Sequence, residues 1–454
     1  MDDHQSFSGK APCCHRAIRR QVDMPIILLI SCCIPPSALM SNLSLLQGSS
    51  EMLSGLIPTG YLACASVCFY FALNVGIQAR WLCMPFLIFF AGLSVLDSHY
   101  LSWPQGLSDL WGLSVVIWTI HIVSLLFCED PLEIRRKTNI QATPRSTARW
   151  QLRPAYKLLF NLRLLPAQRE DCENRADDRD PQEPQNRCKF CVTKSCKLVV
   201  IWLLHTKIEP LIYPGPFLPF TPTDFSPTRQ VFFRRLFLDT GSITLRETVI
   251  RACLAVRWIW IAIYEIEAAH AFLAIVFVVV LHFDTAEEWP PLFGSVTEAY
   301  SLRPFWGRFW HRIANRSYTN LGRLVSRRGF GFRPSTMSDK ITGVFVVFLI
   351  SGLAHSLVSW CSGDKRHYML DTYFFLLNFL GGGMEVTLSN LLDMTPGSTN
   401  RAHMIPLRRM IGYCWMFCFF FCVVPKWQYP RAYEQLQYVE RMKALWNLLS
   451  VDIR

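Results

Sequence analysis

This 454-residue chain is short of charge: 18% of its residues are Asp, Glu, Lys or Arg, where a soluble protein carries about a quarter. That shortage excludes an ordinary soluble fold. Several apolar runs approach the roughly 20 residues a helix needs to cross a bilayer, which makes the chain a multi-pass membrane protein. Acidic residues are scarcer still between Leu302 and Lys340, where Asp339 alone faces nine Lys and Arg. No base-stacking module or zinc-finger spacing accompanies this basic stretch, so anionic lipid or an anionic small ligand is the expected partner and nucleic acid is not. Seventeen cysteines are present, yet a disulfide framework is missing, because most lie inside apolar runs as small hydrophobes. The exception, Cys188, Cys191 and Cys196 with Cys172 upstream, fits no common zinc template. These read as reduced loop thiols with no metal. Also missing are an internal repeat, a cleavage site after the first apolar run, and a Ser or Cys nucleophile with a paired base.

The remaining signals divide the chain. Residues 1–128 hold N-terminal transmembrane helices: Met24 to about Leu46, interrupted by Pro35 and Pro36, then Leu53–Gly76, Trp81–Leu96 and Leu110–Cys128. With the N-terminus inside, Arg80 falls in a cytoplasmic turn and Asp109 outside, and the fourth crossing returns the chain to the cytoplasm at Glu129. Residues 129–197 form a polar cytoplasmic loop, and Gln168 to Gln185 reads as mobile, solvated surface. Residues 198–425 form the core. Leu198–Leu204 is too short to span alone, and six prolines from Pro210 to Pro227 indicate a re-entrant or surface path. Val249–Phe283 reads as one long, partly interfacial helix in which Arg257 and Glu265 satisfy each other or neighbouring helices. Ile341–Trp360, Leu370–Leu392 and Arg409–Val424 complete the spans, and 426–454 is a tail. The fold class is all-α, a polytopic helical bundle with about 8–9 transmembrane helices and an interfacial helix.

Two places concentrate chemistry. The first is Trp289 to His311, rich in aromatic and basic residues, with Pro290 and Pro291 blocking helix at its start. Ser301 is a candidate N-cap with Pro304 in the first turn. From Phe305 the pattern predicts a helix whose aromatic face is Phe305, Trp306, Phe309, Trp310 and Ile313, leaving Arg308, His311 and Arg312 outside that face. The second is His355, inside the span and one turn from Ser351, Gly352 and Ser359. That small, polar stripe should face protein or a water-containing cavity. A neutral imidazole there suits a general base and equally suits a structural hydrogen bond to a neighbouring helix. Glu385, His270 and His121 also lie in apolar runs and are rivals for the base, and His121 reads as structural.

Ser301 to His311, followed some forty residues later by Ser351-Gly-Leu-Ala-His355, resembles the wax synthase-like branch of the membrane-bound O-acyltransferase superfamily. The Trp289-Pro-Pro-Leu-Phe-Gly294 lead-in is similar to the same branch, and fungal members that acetylate terpenoid or meroterpenoid hydroxyls look nearest. The motif region covers about residues 289–360. The resemblance implies an acyltransferase core in 198–425 and a catalytic histidine in the membrane, which maps to His355. It implies a second polar position ending the Phe-Trp-Gly-Arg motif, which maps to His311. Acetyl-CoA would be a co-substrate, with no permanently bound cofactor, and a lipophilic polycyclic alcohol the acceptor. His355 would take the hydroxyl proton as it attacks the thioester, and His311 could donate to the developing oxyanion. Arg303, Arg308 and Arg312 are candidates for CoA phosphates or, alternatively, for lipid headgroups. Trp306 and Glu385 are the candidate acceptor contacts, although packing suits Trp306 as well. A long-chain wax or sterol ester synthase and a proton-relay transporter are the alternatives. Topology and resemblance together point to the endoplasmic reticulum membrane.

Overall fold

The computed structural model describes residues 44–101, 106–130, 134, 152–164, 182–212, 220–238, 241–393 and 405–451. Most of the Met24–Leu46 run, Cys172 and the charged stretch up to residue 181 lie outside them. Every regular element among the described residues is helical. Six stretches are long and apolar enough to cross a membrane: Ser54–Asn74, Ile77–Tyr100, Leu107–Cys128, Leu245–Val280, Met337–Cys361 and Pro406–Trp446. Their outward faces are large and apolar. Phe71, Trp81, Leu82, Phe86 and Phe89 are all exposed, a surface that fits a lipid solvent and not water. The chain is a polytopic helical membrane protein.

We label the principal helices α1 (Ser44–Asn74), α2 (Ile77–Leu96), α3 (Leu107–Val123), α4 (Leu152–Phe160), α5 (Gln182–Leu203), α6 (Leu245–Ala274), α7 (Asn315–Leu324), α8 (Met337–Cys361), α9 (Met369–Asp393) and α10 (Ile405–Val451). The end of the expected polar loop is therefore helical: Cys188, Cys191 and Cys196 lie on α5, not in a loop. The Leu198–Leu204 run, too short to span alone, gains its length from the polar turns before it. Among the described residues, no group of three or more His, Cys, Asp or Glu is placed to hold a metal ion. Arg257 of α6 pairs with the buried Glu209, not with Glu265 on its own helix as the spacing allowed. The stretch expected as a tail continues as α10 through Pro425 and Pro430.

Two apolar clusters organise the bundle. One gathers α1 to α4 around Phe69, Leu87, Trp118 and Ile122. The other gathers α6, α9, α10 and the 293–310 segment around Trp258, Phe305, Phe374 and Phe420. Helix α8 stands between them. Its Val358 belongs to the first cluster, while Gly352 lies against α9 so closely that a Cβ there would sit 2.7 Å from Thr372 Cα. A backbone atom cannot swing aside as a side chain can. Gly352→Ala is expected to cost about 1–3 kcal/mol, as overpacking does, and to displace α8 one turn from His355. A thermal midpoint unchanged from wild type in detergent would refute that close approach.

Candidate active site

The aromatic segment is built differently from a continuous amphipathic helix. Leu302–Pro304 opens a single turn, and Phe305–Phe309 continues it as a π-type turn. The chain then becomes extended at Trp310 (φ −62°, ψ 148°), so the helix expected to reach Ile313 stops four residues early. The cause is the lead-in. Gly294 N–H donates to Phe309 O at 2.8 Å, taking the carbonyl that a continuing helix would offer to residue 313. Only glycine permits this, because a Cβ at Gly294 would lie 2.3 Å from Arg308 O. His311 is thus freed from the helical wheel that set it apart from the aromatic face. Its ring packs beside Phe293 and Trp310, with centroids 5.6 and 5.5 Å away.

Ser301 holds the N-cap position, but its hydroxyl does not cap the turn. It donates to Glu385 Oε1 at 2.6 Å, and Glu385 Oε2 accepts from Leu302 N–H at 2.9 Å. A carboxylate from α9 therefore satisfies the first backbone donor, favourably placed at a helix start. Both Glu385 oxygens are committed to holding the motif segment in place. The Trp306 indole N–H donates to Asn378 Oδ1 at 3.0 Å, and the ring lies 5.8 Å from both Phe348 and Phe375. His355 stacks on the other partner of this wall, Phe375, with centroids 5.0 Å apart. Trp306 and His355 are thereby joined through one ring.

His355 sits in the last third of α8, and its ring nitrogens make no hydrogen bond among the described residues. His311 is near enough for His355 to affect its charge. Burial first, and that neighbour second, lower His311 from the usual imidazole value to about 4, so its ring is neutral at physiological pH. Its Nδ1 is buried with no partner, which leaves one polar atom of the ring available to a ligand. On the other side of His355 lies a buried ionic cluster absent from the sequence reading. Asp371, at the start of α9, is within electrostatic reach of His355. It accepts from Ser359 Oγ (2.6 Å), Trp427 Nε1 (2.6 Å) and two nitrogens of Arg431 (2.8 and 2.9 Å). Arg431 Nε also donates to Asp364 at 2.7 Å. Ser359, one turn beyond His355, ties the small, polar stripe of α8 to that cluster. The clue was an aspartate in the first turn of an apolar run, where ionisable groups are few and partnered.

The other titratable groups have different employment. His121 Nε2 meets Leu158 O at 2.9 Å and its Nδ1 meets Arg316 Nη2 at 2.6 Å, a buried structural arrangement as its sequence context suggested. His270 packs against Trp289 at 5.1 Å. Of the three arginines, Arg303 and Arg308 are exposed at the surface, and Arg312 donates to Gly307 O at 2.9 Å beside a basic cavity.

Known proteins resemble this chain where the geometry converges. Residues 289–377, from the lead-in through the first turns of α9, match the model of the membrane bound O-acyl transferase family. The acetyltransferase aurG of Calcarisporium arbuscula is 29% identical over 198 residues, which are 43% of this chain and 47% of that protein. The acetyltransferase atnC of an Arthrinium species is 27% identical over 221 residues (46% and 50%), and fsoF of Humicola fuscoatra is 30% identical over 210 residues (45% and 49%). The chain thus spans about half the length of the curated relatives it matches. No solved structure matches it. His311, Trp306, His355 and Asp371 all lie within the matched segment, and it is through that segment that the chain is similar to the membrane bound O-acyl transferase family.

Proposed function

We propose that the protein transfers the acetyl group of acetyl-CoA to a hydroxyl of a lipophilic polycyclic alcohol of terpenoid or meroterpenoid type, in the endoplasmic reticulum membrane. The observation that carries this reading is the pairing of two half-buried histidines, His311 and His355, inside the matched segment and, among the described residues, beside no candidate nucleophile. In the proposed reaction His355 removes the acceptor hydroxyl proton while that oxygen forms a bond to the thioester carbonyl carbon. His311, neutral, donates an N–H to the carbonyl oxygen as charge develops there. The tetrahedral intermediate collapses, the C–S bond breaks, and the departing thiolate takes the proton from His355. No acyl-enzyme forms. Names of the fungal relatives support acetyl over longer acyl groups.

In microsomes containing the full chain, label from radioactive acetyl-CoA is expected to enter an organic-soluble ester when terpenoid alcohols are supplied. Transfer from palmitoyl-CoA but not acetyl-CoA would replace this reading with an ester synthase of long acyl chains.

The lowered affinity of His311 for protons has a second consequence. The unfolded chain binds a proton at this position near the usual pH 6.5, the folded chain only near pH 4. Between those values the unfolded state holds more protons, so stability is full above about pH 6.5 and is lost as pH falls toward 4. His311→Gln should flatten part of that acid limb in a thermal-stability series. An unaltered limb would assign the sensitivity to other groups.

A further inference from the structure

A cavity of about 380 Å³ opens next to the motif segment, within the usual size range of small-molecule pockets. Its lining includes Arg163, Arg312, Arg316 and Arg323, with Asn315 and Thr319 between them, and no carboxylate. One of the four charges is already matched: Arg316 pairs with Glu129, which also accepts from Asn320 at 2.6 Å. The other three have no carboxylate partner among the described residues. Arg163 donates to Pro291 O at 3.3 Å and Arg312 to Gly307 O at 2.9 Å, bonds that orient a guanidinium without neutralising it. Partial burial and the nearby Arg312 together make the charge on Arg163 costly, lowering its proton affinity. The cavity runs along one face of the ten-residue α7, from Asn315 to Arg323.

We propose that Arg163, Arg312 and Arg323 form a phosphate-binding subsite that takes the nucleotide end of the acyl donor. This rests on the donor proposed above. Guanidinium forks match phosphate oxygens in pairs, and three of them converging without a counter-ion suit a ligand carrying several phosphates. Position supports the assignment, because Arg312 follows His311 directly and so ties the cavity to the segment that carries that histidine. Only Arg312 of the three arginines singled out in the motif lines the cavity. Arg163 comes from the turn after α4, 149 residues before it in the chain (312 − 163). Lys157 of α4 holds that turn in place by pairing with Asp284 and Glu288 at 2.6 Å each.

The test uses the full chain in nanodiscs, with direct CoA titration alongside transfer kinetics. Arg163→Ala with Arg323→Ala should weaken CoA binding by about tenfold or more, as loss of charged hydrogen bonds does. The preference for acetyl-CoA over phosphate-free S-acetylpantetheine should fall by a similar factor. Arg333→Ala, exposed and outside the cavity, should bind CoA as wild type does, and the double lysine variant should recover part of the loss. CoA affinity equal to wild type in the double alanine variant overturns the proposal. So does a variant that loses only co-purifying phosphatidic acid, which would make the cavity a lipid-headgroup site. Weakened CoA binding in a protein that transfers no acetyl group would keep the subsite and discard the acetyltransferase reading.

Discussion

His355→Ala is expected to lower acetyl transfer by about 10²–10⁴-fold, the range over which a positioned general base acts. The loss should appear in kcat, because the imidazole is proposed to act on a proton that moves only as the C–O bond forms, while donor binding depends on a different part of the molecule. The cavity that gathers Arg163, Arg312 and Arg323 does not include His355, so CoA affinity should stay near wild type. Structure should survive as well. His355 makes no hydrogen bond among the described residues, and its stacking on Phe375 is one contact in a long aromatic series. The measurement is transfer from labelled acetyl-CoA with matched expression, membrane insertion and CoA titration. A variant that binds CoA and still transfers at near the wild-type rate would remove the base role from His355. His311 would then be the next group to test, since both Glu385 oxygens already hold Ser301 and Leu302.

Arg431→Ala should have the largest effect on stability. Its guanidinium, 6% exposed, serves two buried carboxylates at once, with Nε on Asp364 and both terminal nitrogens on Asp371. Removing it leaves two carboxylates in low dielectric without a counter-ion, a change that costs about 3–5 kcal/mol for a single broken buried pair. Lysine is no remedy, because one ammonium lacks the planar fork that reaches both partners. Arg431→Lys should therefore lie well below wild type, while Asp364→Asn, which keeps the Asp371 pair, should be milder. Thermal unfolding in detergent, followed by loss of monodisperse protein, reports the order. Equal midpoints for wild type and Arg431→Ala would show that the cluster carries little of the fold's stability. Because Ser359 on α8 donates to the same Asp371, loss of the arginine should also loosen the helix that carries His355.

Much of this architecture is readable from the chain because lipid imposes simple rules. Long apolar runs become helices, and the small stripe of Ser351, Gly352 and Ser359 turns toward protein, where Gly352 meets Thr372 and Ser359 meets Asp371. Other features depend on contacts that no local pattern encodes. The end of the aromatic helix is decided by Gly294 reaching Phe309 O, so a helical wheel drawn from Phe305 continues too far. Arg163 and Arg312 line one cavity from distant parts of the chain, and the basic count between Leu302 and Lys340 could not include Arg163. The last part of the polar stretch, from Gln182, is helical where a loop was expected, for a related reason. Low apolar content describes a helix with a lipid-poor face as well as it describes a loop, and only packing against α6, through Lys197 and Glu267, separates them.

The ionic cluster also sets an order on biosynthesis. Asp371 precedes Arg431 by 60 residues and Asp364 precedes it by 67, so the ribosome delivers both acids well before their base. Until α10 follows, Asp371 in the first turn of α9 and Asp364 in the turn before it have no arginine partner. Substitutions at Arg431 make that unpaired state permanent, so they should be read first as changes in how much protein reaches its folded form.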